Sequence, residues 1–395
     1  MRRNLNQYRL SLIVTGVIGL VLLLPTIVRA QAVSNLNGRI LDQQGAVLPG
    51  VSLKLTGQDT GLFRQSVSNE NGTFSFAGMP PGVYKIEAEL PGFKKYEGSN
   101  ITLEIGKTAV LDITLQVGLA ADEVSVIADA PLVDTTSKAV GGTVVVQELT
   151  ELPSINRNFT SYMALLPGVV YNPNANFGAD SVSIGGQATG QTLFLLDGAA
   201  NNDDQRGGSS GAQARVPLEA IQEFQVLLGQ FDAEYSGSGG LLNAVSKRGT
   251  NQFHGGAFTL IRDSNLTEKE FFVRRNNLEK PKASEHQFGG TVGGPIVHDK
   301  AHFFGSLERV ILKQGVTFNV PDRPDLNTTF SQPAFVWNVF GRFDQQINAK
   351  NTWGFRYLSE WSPQVLYGTN RTAAAAQTEE DHDRIYTGTL LAASF

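Results

Sequence analysis

Short runs of alternating apolar and polar residues follow one another along most of the chain. Clear examples are Val51 to Leu55, Thr73 to Phe76 and Tyr84 to Ala88, and, further on, Phe335 to Phe343 and Trp353 to Tyr357. A period of two places successive side chains on opposite faces of a β-strand. The pattern predicts a mainly β protein, with helices confined to short segments in the middle of the chain.

The first thirty residues follow a different pattern. Basic residues up to Arg9 precede an apolar run that extends to Val28, and the small residue Ala30 follows. A basic start, an apolar centre and small residues before a cleavage point are typical of a secretory signal peptide. We expect residues 1–30 to be a signal peptide that is cleaved before Gln31. The alternative is an uncleaved anchor helix, although the uninterrupted run is shorter than the ~20 residues that span a bilayer.

Residues 33–117 combine alternating runs with regularly spaced turn signals, as a β-sandwich of about seven strands requires. The turn motifs stand in a fixed order: Gly38-Arg39-Ile40, Pro49-Gly50-Val51, Asn71-Gly72-Thr73-Phe74, Pro81-Gly82-Val83-Tyr84 and Pro91-Gly92-Phe93. This segment resembles the carboxypeptidase-regulatory-like, transthyretin-like domain. The resemblance implies a β-sandwich without a zinc site, and it makes carbohydrate one candidate ligand.

Residues 118–138 form a predicted linker that contains one extended segment. The segment consists of Asp122, Glu123, Val124, Ser125, Val126, Ile127 and Ala128. It resembles a TonB box, and we refer to it as the TonB-box-like segment. A strand of this kind can add to a partner's sheet through main-chain hydrogen bonds. The resemblance implies a TonB-type energy transducer as the partner; the alternative is an ordinary linker strand.

Residues 139–246 carry a series of motifs that resembles the plug domain of Oar-like TonB-dependent receptors. The motifs occur in this order: Glu151-Leu152-Pro153, Asn156-Arg157-Asn158-Phe159, Leu165-Leu166-Pro167-Gly168-Val169, Ile184-Gly185-Gly186-Gln187, Phe194-Leu195-Leu196-Asp197-Gly198 and Val216-Pro217-Leu218-Glu219-Ala220. We predict an α+β fold for this domain. The predicted helices are Phe159 to Leu166 and Leu218 to Phe224, and the predicted strands are Val182 to Ile184, Thr192 to Leu196 and Phe224 to Leu228.

Residues 247–395 contain about six strand-length segments with apolar or aromatic residues at alternate positions. One apolar face with aromatic residues towards the strand ends is typical of transmembrane β-strands. The motifs Asn251-Gln252-Phe253-His254-Gly255 and Gly293-Gly294-Pro295-Ile296 resemble the first barrel hairpins of the same receptors. Since plugged transporters have about twenty-two strands, we expect the first strands of an incomplete transmembrane β-barrel. A soluble sandwich is the alternative.

Composition and isolated polar motifs limit the chemistry that the chain can perform. The 395 residues include no cysteine and carry a net charge of -5, so a thiol site and a nucleic-acid partner have no support. We interpret Gly207 to Gly211 as a loop, Asn201 to Asp204 as a polar loop, and His298 and His302 as solvated histidines. Glu219 and Glu223 fit the solvated face of a helix. We therefore predict no catalytic residue, no cofactor and no metal site.

Taken together, the resemblances imply an outer-membrane TonB-dependent receptor rather than an enzyme. The sandwich would lie in the periplasm and the strands after residue 246 would contact outer-membrane lipid. The implied partners are a TonB-type transducer and an extracellular ligand, with carbohydrate as one candidate. The alternative is a non-transporting surface or periplasmic module that binds carbohydrate or protein.

Overall fold

The structure is a computed structural model. It describes residues 34–118, 123–127, 140–145, 159–172, 181–187, 191–202, 216–229, 239–269, 271–275, 277–318, 328–349, 351–366 and 382–394. The predicted signal peptide lies outside these residues, as do Asp122 and Ala128. No helix in the described part of the chain is long and apolar enough to cross a membrane.

The N-terminal strands form a β-sandwich. The strands are β1 (Ser34–Asp42), β2 (Ser52–Gly57), β3 (Phe63–Val67), β4 (Thr73–Met79), β5 (Gly82–Glu89), β6 (Lys95–Leu103), β7 (Thr108–Val110), β8 (Ile113–Leu115) and β9 (Glu123–Ile127). One sheet has the order β4-β1-β7, with β8 also paired to β1, and the other has the order β3-β2-β5-β6-β9. The predicted sandwich is therefore confirmed.

Alternation along the strands builds the sandwich core. Leu36 from one sheet and Leu53 and Ile86 from the other are fully buried, while their sequence neighbours face outwards. The turns close as their sequences predict. After β1, for example, the Asp42 carboxylate accepts hydrogen bonds from the N–H groups of Gln44 and Ala46, and Gly45 between them has φ +85°.

The middle of the chain forms a second sheet with short 3-10 helices. Its strands are β10 (Val140–Val145), β11 (Val169–Asn172), β12 (Ser181–Ile184), β13 (Leu193–Leu196), β14 (Ala199–Ala200), β15 (Ile221–Gly229) and β16 (Leu241–Ser246), and its helices are Phe159–Leu165 and Leu218–Ala220. The main sheet has the order β10-β15-β16-β13-β14, and β11 pairs with β12. The three predicted strands correspond to β12, β13 and β15.

The helix predicted over Leu218 to Phe224 is wrong beyond Ala220. Ile221 already has an extended backbone, with φ -86° and ψ 135°, and it begins β15. The reason is burial on both faces: Ile221 and Phe224 are fully buried, and most of β15 has no exposed side. A strand that is covered on both faces lacks the period of two, so its apolar spacing also fits a helix.

The last strands form one antiparallel sheet in which each strand pairs with the next in sequence. They are β17 (His254–Asp263), β18 (Ser284–Val297), β19 (Ala301–Phe318), β20 (Thr328–Gln346), β21 (Thr352–Leu366) and β22 (His382–Ser394). A 3-10 turn at Ser264–Leu266 and a short helix at Phe271–Arg275 lie between β17 and β18. The turn at 298–300, after β18, and the turn residues 347–349, after β20, lie at the same end of the sheet. The described strands form an open sheet of six strands, as an incomplete barrel requires.

The two faces of this sheet differ in character. On the inner face, Phe304, Phe340 and Leu358 are buried and share one hydrophobic cluster with the middle domain. The outer face exposes large apolar side chains, including Leu307, Val339, Phe355, Tyr357 and Trp361. The predicted alternation is confirmed, and the middle domain covers the inner face of the sheet as a plug does.

Candidate functional site: the tether strand and the domain contacts

The described residues of the TonB-box-like segment form β9, which pairs in parallel with β6 of the sandwich. The register joins Lys95 to Glu123 and Glu97 to Ser125. Strand β9 is the last strand of its sheet, and in the described part of the chain no strand pairs with its other edge. The sequence predicts that the TonB-box-like segment is an exposed strand. The structure pairs the backbone of its described residues with the sandwich.

The sandwich contacts the plug through the turn that follows β6. Ile105, at this turn, is fully buried and packs against Val245 of β16. The backbone N–H of Ile105 donates a hydrogen bond to Oε1 of Glu223, at 2.9 Å. The next residue, Gly106, has φ +66°, and a Cβ there would collide with the side chain of Gln225. A side chain at position 106 would therefore displace the amide of Gln225 and strain the backbone.

Glu223 is the titratable group of this contact. It lies in β15 and is only 5% exposed. The pKa of Glu223 is raised to about 7: burial is the largest cause and nearby Glu104 adds to it, while the hydrogen bond from Ile105 and the charge of Lys107 act in the opposite direction. The prediction that Glu223 lies on a solvated helical face is wrong, because position 223 belongs to a buried strand.

The sandwich also contacts the short turns at one end of the barrel sheet. Phe63 exchanges two hydrogen bonds with Gln346: its N–H donates to Oε1 at 3.0 Å, and its carbonyl accepts from Nε2 at 2.6 Å. Arg64 donates to the carbonyl of Ala349 at 3.2 Å. The N–H of Asn251, before β17, donates to the carbonyl of Asp59 at 2.7 Å. The loop at 57–64 thus joins the sandwich to the barrel rim.

A buried ionic cluster joins the plug to the barrel sheet. Asp197, at the turn after β13, accepts hydrogen bonds from the N–H and the hydroxyl of Ser246, at 3.0 and 2.5 Å. Two arginines of the barrel reach the same carboxylate: Arg342 at 3.3 Å and Arg356 at 3.0 Å. Arg342 also donates to the carbonyl of Ser246 at 2.8 Å. Every side chain of this set is buried.

The charges of this cluster compensate one another. Burial alone would raise the pKa of Asp197, but Arg342, Arg356 and the two bonds from Ser246 outweigh burial and lower it. Asp344 supplies the second carboxylate and accepts from Nε of Arg342 at 2.6 Å. Asp197 and Asp344 therefore face Arg342 and Arg356, and the charge of Arg248 also acts on Asp344. Removing either carboxylate would leave buried guanidinium charge without compensation.

The remaining inner face of the barrel sheet is polar. Glu308, on β19, is 4% exposed and accepts hydrogen bonds from Gln287 at 2.6 Å and from Asn338 at 2.8 Å. These three side chains come from three neighbouring strands. A polar inner face opposite an apolar outer face is the arrangement of a transmembrane barrel.

The other polar motifs have modest roles where the structure describes them. His302 is 1% exposed on β19, and its Nε2 lies 2.9 Å from the side-chain oxygen of Asn251, so the prediction that it is solvated is wrong. The Asn202 side chain accepts a hydrogen bond from the N–H of Phe194 and donates one to the carbonyl of Thr192. Residues 203–211 lie outside the described residues. No group of metal-ligating side chains occurs among the described residues.

The ionic cluster is the feature that sequence reasoning missed. Arg342 and Arg356 each stand within an aromatic run, between Gly341 and Phe343 and between Phe355 and Tyr357. In the alternation of their strands, both positions belong to the set of residues that faces the inner side of the sheet. A charge at such a position needs a buried partner, and this signal would have shown that the inner face meets an acidic group.

Three family models match successive parts of the chain. The carboxypeptidase regulatory-like domain matches residues 35–116, the TonB-dependent receptor plug domain matches 121–241, and the outer membrane beta barrel domain matches 245–336. Their order is the order of the sandwich, the plug and the six-stranded sheet. The plug match also includes β9, which pairs with the sandwich, and the barrel match begins within β16 of the plug sheet.

Individual receptors are similar to parts of the chain. The TonB-dependent transporter Oar of Myxococcus xanthus is 27% identical over 293 residues, which are 69% of this chain and 26% of the relative. The probable TonB-dependent siderophore receptor PirA of Acinetobacter baumannii is 27% identical over 184 residues, 42% of this chain and 22% of the relative. The crystal structure of the siderophore receptor PirA from Acinetobacter baumannii has 22% identity and a TM-score of 0.47, and the match covers 62% of this chain and 35% of that one. The chain therefore spans only a part of the length of its relatives. In the order of its three domain matches, the chain is similar to the TonB-dependent receptors of the outer membrane.

Proposed function

We propose that the chain forms the energy-coupled part of a receptor that binds an extracellular ligand and admits it to the periplasm. The observation that carries the proposal is the plug sheet on the inner face of the barrel sheet, where Asp197 meets Arg342 and Arg356. A plug that is held by a few buried polar contacts blocks the barrel at rest. Force on the plug opens a path once those contacts separate.

The TonB-box-like segment, from Asp122 to Ala128, is the proposed site of that force. Its backbone is extended at β9, and an extended segment with one unpaired edge can add to a partner's sheet. A TonB-type transducer binds the segment in this way and draws on the proton gradient of the inner membrane. The same chain then continues into β10, which pairs with β15 in the plug.

A proline substitution tests this partner. Val124→Pro removes a backbone donor and fixes φ within the segment, so it is expected to abolish binding of the purified C-terminal domain of a TonB-type transducer to the full chain in detergent. Ser137→Pro, in the same linker but outside the segment, is the matched control and should bind like the unaltered chain. Equal binding by both variants would place the contact elsewhere.

The carbohydrate-binding alternative has one surface to consider. A shallow groove on the sandwich is lined by polar side chains, including Asn37, Arg39, Ser66 and Asp112. Its aromatic side chain, Phe74, is 4% exposed and belongs to the core. A sugar would therefore meet no exposed ring there. We place the ligand at the plug and the barrel, where binding of oligosaccharides to the purified receptor tests carbohydrate as its class.

A further inference from the structure

We propose that the sandwich presents the TonB-box-like segment to the transducer, which means that the segment stays paired with the sandwich when the transducer binds it. Strand β9 stays paired with β6, and the transducer's strand adds to the other edge of β9. This proposal rests on the proposed function, in which the segment is the transducer's contact. The opposite arrangement is sequestration, in which the segment must leave β6 before it can bind.

The pairing of β9 with β6 supports presentation because it uses only one of the two edges of β9. Each residue from Glu123 to Ile127 has a register partner on β6, from Lys95 to Ser99. These pairs use one edge, and in the described part of the chain no strand pairs with the other. An unpaired edge offers a row of N–H and C=O groups to an incoming strand. Pairing with β6 and pairing with the transducer therefore do not exclude each other.

Strand β6 is a firm support for β9. On its far side it pairs with β5, where Gly98 lies opposite Ile86 and Tyr96 opposite Ala88. Tyr96 is 8% exposed and belongs to the sandwich core. Since β6 lies between two strands and contributes to the core, it holds its place whether or not a partner is bound to β9.

The sandwich is itself fixed on the receptor at two places. The turn after β6 contacts the plug through Ile105 and Glu223, and the loop at 57–64 contacts the barrel rim through Phe63 and Gln346. The free edge of β9 therefore has a defined position relative to the barrel. A segment ordered in advance loses less conformational entropy on binding than a free tether does.

The same arrangement links the bound transducer to the plug by two routes. One route is the chain itself, because residues 128–139 connect β9 to β10 and thus to β15. The other route is the sandwich, through β6 and the Ile105–Glu223 contact. Force on β9 would act on the plug domain at β15 by both routes.

A disulfide between β6 and β9 distinguishes presentation from sequestration. Glu97 and Ser125 are register partners, and adjacent strands bring their Cα atoms within the range that a disulfide spans. The chain has no cysteine of its own, so Glu97→Cys with Ser125→Cys creates a single bridge. The matched control is Glu97→Cys with Glu87→Cys, which bridges β6 to β5 and leaves β9 untouched. Binding of the purified transducer C-terminal domain to the full chain is measured before and after reduction.

Presentation predicts that the oxidised β6–β9 pair binds the transducer domain with a Kd within about threefold of the unaltered chain and of the control bridge. Loss of binding on oxidation, with recovery on reduction, would overturn the proposal, since the segment would then have to leave β6. Failure of this pair to oxidise while the control pair does so would also overturn it. If the unaltered chain and Val124→Pro bind alike, the proposed function itself is wrong.

Discussion

The contact between the sandwich and the plug should weaken as pH rises, and Glu223 is the reason. Its carboxyl group has an ordinary pKa of 4.5 in water, and burial in the docked state raises that pKa to about 7. The docked state therefore binds the proton more tightly than the separated state does. The stabilisation is complete below about pH 4.5 and is lost as pH rises through about 7.

The size of the effect follows from the same pKa values. A rise from 4.5 to about 7 corresponds to at most about 3 kcal/mol between the two limits of pH, the limit in which separation of the domains fully solvates Glu223. That energy is equivalent to roughly a hundredfold change in the equilibrium between docked and separated domains. Glu223→Gln stays neutral at every pH, and its amide oxygen can still accept the hydrogen bond from Ile105. The variant should keep the docking strength that the unaltered chain has at low pH.

Hydrogen exchange at the Ile105 amide is the assay. Protection, corrected for the intrinsic pH dependence of exchange, is expected to fall by up to roughly a hundredfold between about pH 5 and about pH 8 in the unaltered chain. The protection of the Ile105 amide should not change with pH in Glu223→Gln. In the control Glu70→Gln, on the turn between β3 and β4, it should fall as it does in the unaltered chain. A level profile in the unaltered chain, or a falling one in Glu223→Gln, would refute the reasoning.

Two further substitutions test how the plug is held against the barrel sheet. Asp197→Ala leaves two buried arginines without this carboxylate and is expected to lower the free energy of unfolding by about 3–5 kcal/mol, as measured by chemical denaturation in detergent; an effect no larger than that of Glu268→Ala, at an exposed position, would contradict this role. Phe340→Ala opens a cavity beside Phe304, whose ring centroid lies 6.2 Å away, and should cost about 3–5 kcal/mol in thermal unfolding. Phe335→Ala, on the outer face and 37% exposed, should cost under about 1 kcal/mol, so equal losses would show that the two faces are wrongly assigned.

Local patterns predict the strands of the sandwich and of the barrel sheet well because most of them have one covered and one exposed face. In β20, Trp337 and Val339 point outwards, whereas Asn338 and Phe340 are buried, as the alternation in the sequence indicates. The prediction fails at Ile221, where β15 is covered on both faces and the period of two disappears. The difference lies in tertiary packing, which a single strand's sequence does not record.

The domain contacts could not be predicted because they join residues that are distant in sequence. Asp197 meets Ser246 across 49 positions and Arg356 across 159. Ile105 and Glu223 lie 118 positions apart. Nothing near Glu223 in the chain indicates that a backbone N–H from another domain covers it. The sequence predicts that the TonB-box-like segment is extended, but its place beside β6 depends on the sandwich as a folded whole.

Cross-linking in the native host tests the central claim most directly. A photoreactive amino acid in place of Val126 would stand within the TonB-box-like segment of the protein as its host produces it. The account predicts a covalent adduct with the TonB-type transducer in the outer-membrane fraction, and loss of that adduct when Val124→Pro is added. A soluble periplasmic protein that gives no adduct would contradict the account and favour a non-transporting binding module.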